Sequence, residues 1–282
     1  MSQRKEDDNL REWGESAPYW EKDAPTIRAM FSPLTRALIE EAGIRQGLSV
    51  LDVAGGPGEP ALTIAEAVGP TGSVTCTDAV AEMVAAAQSE ARRRGVTNVE
   101  FRQCTADSLP FDDDSFDAAV SRLGAMFFPD PPAALREMLR VIKPGGALSL
   151  VVWDRDEQNP FFNAVSTVVS RYVETPPAAP GAADAFRFAE PGVLSGILGE
   201  AGAAGVRERP FEFRIAAPIS PEEFWVMRSE TSGTLRGKLA WLSAEVRDRV
   251  AREVQEAVRE FFPDGRMSFP ARAIVVTGNK PG

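Results

Sequence analysis

Three acids stand where short apolar runs give out. Asp52 lies within VLDV, Asp78 ends SVTCTD, and Asp107 follows VEFRQ by a few residues. Behind Asp52 come Gly55, Gly56 and Gly58. Lacking Cβ atoms, they permit positive φ and let a ligand lie against backbone N–H groups, while a helix beginning near Pro60 aims its N-terminus at the same space. A carboxylate closing a second strand is where a nucleotide ribose presents its hydroxyls. Asp107 is placed to accept from an adenine amino group. These types and spacings suit the holding of a nucleotide-like cofactor, although a strand, glycine turn and helix also occurs where nothing binds.

The composition narrows the chemistry further. Histidine is absent, which removes His-based metal sites, Ser-His triads and the commonest general base. No metal site is expected. Cys76 and Cys104 fall in or just after expected strands and read as reduced packing residues. A net charge of −10 disfavours nucleic acid and anionic membranes as partners. The N-terminal MSQRKEDDNLREWGE is charged where a signal peptide is apolar, and no stretch approaches the ~20 apolar residues of a membrane span. A cytoplasmic protein acting on a small molecule is expected, and the oligomeric state is not legible.

The elements that must position these residues alternate between strand and helix. Runs at 49–53, 73–77, 99–103, 116–121 and 147–153 read as strands. Val80, Met83, Val84 and Ala87 share one helical face, as do Leu135, Met138, Leu139 and Ile142 after Asp130-Pro131. This predicts a parallel, doubly wound sheet with its ligand crevice at the carboxyl ends of the strands. Upstream, Ser32-Pro33 reads as the cap and first residue of a helix ending at Gly43, preceded by an aromatic segment holding Trp13, Tyr19 and Trp20. Downstream come an apolar helix around 161–173, the loop TPPAAPGAAD and a helix over 191–204. A strand follows at 206–215, where Pro210 suggests an edge or a bulge. Valines every fourth residue from Val246 to Val258 mark a helix capped by Ser243, and ARAIVVT returns to strand.

Taken together, VLDVAGGPGEPAL, TDAVAEMVAAA, TADSLPFDDDSFDAAVS and LREMLRVIKPGGALSLVVW resemble the class I S-adenosylmethionine-dependent methyltransferases, in the branch that looks like the UbiE/COQ5 quinone methylases. The resemblance implies a seven-stranded, mostly parallel Rossmann-like sheet whose seventh strand runs antiparallel beside the fifth. It implies S-adenosyl-L-methionine as cofactor and S-adenosyl-L-homocysteine as product. Gly55, Gly56 and Gly58 would line the methionine part, Asp78 would hold the ribose, Met83 would pack on adenine, and Asp107 would face its amino group. Asp52 would orient the turn. Ala79, Ala106, Ser108 and Arg122, beside these at the strand ends, complete the candidate cofactor set. Trp13, Tyr19, Trp20, Met126, Phe127 and Asp154 are the candidate substrate residues, and no catalytic residue is assigned.

The expected organisation is an N-terminal helical flap over 1–45, the cofactor core over 46–153, and a loop, helix and return strand over 154–219. A helical cap over 220–265 and the last strand over 266–282 complete it. That cap departs from the quinone methylases, so the cofactor carries over and the quinone does not. The acceptor expected is small and apolar or aromatic. Gly56, Gly58 and Ala61 also fit the GxGxxA of a dinucleotide dehydrogenase. A catalytically silent cofactor-binding scaffold is the further alternative.

Overall fold

The computed structural model describes residues 2–174 and 183–282, with side chains from Asn9 onward. Eight of the ten residues of the expected loop TPPAAPGAAD lie outside the described residues. Seven strands form one sheet in the order β3-β2-β1-β4-β5-β7-β6. They are β1 (Ser49–Val53), β2 (Ser73–Asp78), β3 (Val99–Gln103), β4 (Phe116–Arg122), β5 (Ile142–Trp153), β6 (Ala204–Ala217) and β7 (Met267–Asn279). The first five run parallel, and β7 lies antiparallel between β5 and β6. Val50, Leu51, Ala119, Val120, Leu148 and Leu150 have no exposed surface, as expected of strands covered on both faces. The chain order reverses between β1 and β4, and a crevice opens there at the strand ends.

Helices α3 (Ala61–Val68), α4 (Ala81–Arg94) and α5 (Pro131–Val141) cover the parallel half. Asp130 caps α5 by accepting from the Ala133 N–H at 2.9 Å, with Pro131 in its first turn. Leu135, Met138 and Leu139 are buried as their spacing predicts, whereas Ile142 already belongs to β5. Helices α6 (Pro160–Val169) and α7 (Val193–Glu200) follow. Pro210 sits on the edge strand β6, in register opposite Ile274; the register shift falls instead between Ala204 and Arg207.

The helix expected to begin at Pro33 begins nine residues earlier. The chain enters with α1 (Ser2–Lys22) and α2 (Ala24–Glu41), and Pro33 lies inside α2. Pro25 takes the first turn. A proline at 33 leaves the Ala29 carbonyl without its usual N–H, and the Ser32 hydroxyl donates to that carbonyl at 3.1 Å. Ser32 thus mends the interior of the helix rather than capping it.

Between β6 and β7 stand α8 (Pro221–Thr231), α9 (Gly233–Ala240) and α10 (Ala244–Ala257). Ser220 and Glu223 form a reciprocal capping box on α8, and Ser243 accepts from Val246 N–H at 3.3 Å. Val250, Val254 and Val258 are fully buried, with α10 packed on α6 and α8.

Candidate functional site

The site is built on the turn after β1. Asp52 is fully buried beneath it, and its Oδ2 accepts from the Ala61 N–H at 3.0 Å, at the start of α3. Burial pushes the Asp52 carboxyl up to about 7, against the opposing pull of Arg122 and of that N–H. Above it, Gly55 has no room for a side chain: a Cβ would stand 2.6 Å from both Asp52 Oδ2 and Cys76 Sγ. Gly56 at φ +54 and Gly58 at φ +105 adopt left-handed backbone, as does Ala54 at φ +58. The turn is therefore held close over its own acid.

Asp78 ties the ends of β1 and β2 together. Its Oδ2 accepts from the Gly56 N–H at 2.9 Å and its Oδ1 from the Val80 N–H at 3.0 Å. Desolvation raises its pKa, opposed by hydrogen bonds from Val80, Gly56 and Ala79. Each oxygen keeps a further lone pair for a ligand hydroxyl.

These groups open onto a cavity of about 310 Å³. Gly55, Gly56, Asp78, Ala79, Met83, Ala106 and Arg122 line one side; Trp13, Trp20 and Phe127 line the other. Ten of the residues expected at the site thus face one space. Asp52 lies below the turn and Gly58 packs toward Leu62, so neither lines the cavity. Asp107 and Ser108 are exposed in the turn after β3 and stand outside the lining. Tyr19 lies 5.3 Å from the Arg236 guanidinium, away from the cavity. Met126 is a core residue. Asp154 is buried in an ion pair with Arg272 at 2.9 Å and accepts from the Arg155 N–H at 2.7 Å. The geometry gives these last five no place at the cavity wall.

Arg122 makes no ion pair among the described residues. Its Nη1 instead donates to Thr35 Oγ1 at 2.7 Å and its Nη2 to the Glu59 carbonyl at 3.1 Å, with the guanidinium over Phe31. Burial lowers its pKa, and the fields of Glu59 and Asp52 oppose that. Glu59 also lines the cavity, with its carboxylate engaged by Arg94 and by Thr63 at 2.9 Å. The sequence reading passed over Glu59 and the inner face of α2, where Ala24, Ile27, Arg28 and Phe31 line the wall. Their helical spacing was the available signal, hidden by the late start assigned to that helix.

α1 closes the space from outside. Trp13 meets Phe127 edge-on at 5.2 Å and Trp20 at 6.0 Å. Its buried Ala17 joins Val80 and Met83 in a small cluster with Leu10 and both tryptophans. Trp20 Nε1 donates to the Thr231 carbonyl at 3.0 Å, Arg236 donates to Ser16 at 2.9 Å, and Lys22 pairs with Glu230 at 2.6 Å. α1 is thereby bound to α8 and α9.

Residues 34–173 match the ubiE/COQ5 methyltransferase family. The chain is 33% identical over 184 residues to an uncharacterized protein of Mycobacterium tuberculosis, covering 63% of this chain and 61% of that one. It is 38% identical over 136 residues to the ubiquinone/menaquinone biosynthesis C-methyltransferase UbiE of Hahella chejuensis, covering 48% of this chain and 54% of the relative. The chain therefore spans between about half and three-fifths of the curated relatives it matches. In fold it is similar to a putative methyltransferase of Bacillus halodurans, at TM-score 0.56 and 23% identity, covering 88% of this chain and 99% of that one. It is likewise similar to the [4+2]-cyclase SpnF, at TM-score 0.54 and 21% identity, covering 95% and 96%. Such neighbours share architecture, and one fold carries more than one chemistry.

Proposed function

We propose that this chain, whose residues 34–173 match the ubiE/COQ5 methyltransferase family, transfers a methyl group from S-adenosyl-L-methionine to a small apolar or aromatic acceptor. The observation that carries the reading is the anchoring of Asp78. Two backbone N–H groups hold its carboxylate at the end of β2, beside a glycine turn whose backbone is open to a ligand. Such a cradle fits a nucleoside with vicinal hydroxyls. The cofactor, when bound, supplies an electrophilic methyl on a sulfonium with a neutral leaving group.

The chain's own residues then have three tasks. Asp78 takes the ribose hydroxyls, while Met83 and Ala106 flank the base. Gly55 and Gly56 let the methionyl portion lie against the backbone, where Arg122 is fixed by Thr35 and the Glu59 carbonyl. Phe31, Trp20 and Phe127 wall the acceptor side and exclude water, so alignment of nucleophile and methyl carbon supplies much of the acceleration. Among the described residues no tyrosine lines the cavity, and the chain has no histidine. An acceptor that must lose a proton meets the carboxylates of Glu59, Asp78 and Glu90.

Calorimetry with S-adenosyl-L-homocysteine tests the reading. Wild-type protein should bind it, and Asp78→Ala should weaken binding by about 2–4 kcal/mol, the scale of lost charge-assisted hydrogen bonds. Equal affinity in a folded variant would remove Asp78 from the site. Binding of a nicotinamide dinucleotide in its place would favour the dehydrogenase, which the family match does not support. Cofactor binding without turnover over a broad acceptor panel would favour the silent scaffold.

A further inference from the structure

The inner face of α2 is apolar at Ala24, Ile27 and Phe31, all buried, yet the same stretch of cavity wall carries Arg28. Arg28 itself is exposed, so its side chain reaches both the cavity and solvent. The Arg28 guanidinium makes no hydrogen bond or ion pair to any described residue. The other charged groups lining the cavity among the described residues have partners, Asp78 accepting from the Gly56 and Val80 N–H groups. Arg122 donates to Thr35 and the Glu59 carbonyl, Glu59 is engaged by Arg94 and Thr63, and Glu90 is paired with Arg93 at 2.6 Å. Arg28 is thus the cavity-lining cation with its donors unspent, in a molecule of net charge −10. Its stem can lie along the apolar wall while the planar fork stays free for a bidentate anion.

We propose that Arg28 is the carboxylate receptor of this cavity. The inference rests on the methyltransferase reading and deepens it. Two ligands can bring the carboxylate: the methionyl part of the cofactor, or an anionic acceptor bound beside Phe31 and Trp20. The chemistry is shared, and the sources are separable.

The experiment compares wild type, Arg28→Met and Arg28→Lys by calorimetry. The probes are S-adenosyl-L-homocysteine, and 5′-methylthioadenosine, which lacks the amino-acid portion. Onto protein loaded with S-adenosyl-L-homocysteine are then titrated 2-naphthoate and its neutral counterpart 2-naphthamide. If the cofactor supplies the carboxylate, Arg28→Met weakens S-adenosyl-L-homocysteine by about ten- to a hundred-fold and leaves 5′-methylthioadenosine unchanged. If the acceptor supplies it, both nucleosides bind as before, and a wild-type preference for 2-naphthoate over 2-naphthamide disappears. Arg28→Lys, a point charge without the fork, should fall between in either case, and it decides the matter should Arg28→Met lower the thermal midpoint. Equal affinities of all three proteins for every probe overturn the inference while leaving the methyltransferase reading intact. A wild-type protein that binds neither nucleoside overturns both.

Discussion

At the scale of single residues, Asp52 and the glycines above it divide the work of the turn between stability and binding. Asp52 is buried, its Oδ1 has no partner among the described residues, and its pKa rises to about 7. An acid whose folded pKa lies above its unfolded value near 4 holds more protons folded than unfolded across that interval. The stability it permits is therefore full at low pH and is lost as pH rises toward and through about 7. Asp52→Asn should flatten this dependence. Urea unfolding at pH 5 and pH 8 should show a smaller loss in the variant than in wild type, the difference being about 2–3 kcal/mol at most. An equal loss in both would place the charged carboxylate at no net cost. The glycines separate by readout. Gly55→Ala meets Asp52 Oδ2 and Cys76 Sγ at 2.6 Å and should cost fold stability, about 1–3 kcal/mol. A Cβ at Gly56 meets nothing within 4 Å, but its φ of +54 is hostile to a β-branched side chain. Gly56→Val should fold and lose S-adenosyl-L-homocysteine binding; normal binding would make that glycine merely structural. Acids at strand ends and glycines between them are what a sequence displays most plainly. It does not display partnership: Arg122 on a threonine hydroxyl and a carbonyl, or Asp154 turned away to Arg272, depend on segments distant along the chain.

At the scale of elements, legibility followed how much of the pattern is local. Parallel strands declare themselves as short apolar runs because both faces are covered. Helix α5 declares its start through Asp130-Pro131, since the cap is a contact between near neighbours. Helix α2 misled because Ser-Pro is as good a start signal as Pro25, and only the Ser32 bond to Ala29 O reveals how the interior proline is tolerated. The partners of α1 were illegible for the same reason: Thr231, Glu230 and Arg236 lie over two hundred residues away. One bond measures that coupling. Trp20→Phe keeps a ring against Trp13 but removes the donor to the Thr231 carbonyl. It should destabilise the protein by about 1 kcal/mol, read by denaturant unfolding, if that bond ties α1 to α8 in solution. An unchanged midpoint would mean that water replaces the tryptophan at no cost.

At the scale of the whole molecule, the bonds between α1 and α8–α9 back the α1 wall of the cavity with a segment about two hundred residues away that itself supplies none of the lining. Trp13 and Trp20 face the inside of that wall, while Lys22–Glu230, Arg236–Ser16 and Thr234–Glu12 stitch its outside. Most of these links are polar and partly exposed. They are therefore cheap to open compared with the buried core of the sheet, where Ser149 and Thr277 join β5 to β7 beneath fully covered aliphatic residues. A ligand reaching the cavity has to pass or displace some part of its lining. α1 packs through a small cluster of its own around Ala17, Val80 and Met83, so its opening breaks less apolar burial than opening of the sheet would. Residues 10–30 and 220–262 should accordingly behave as one opening unit, a lid that seals the transferring methyl from water. Amide hydrogen exchange measures this directly. Addition of S-adenosyl-L-homocysteine should slow exchange in both segments together and in the turn around Gly56, with little change in β5 and β7. Protection confined to the glycine turn would leave α1 and α8–α10 as a fixed covering. Protection of α1 without α8–α9 would show that the polar stitches do not couple the two.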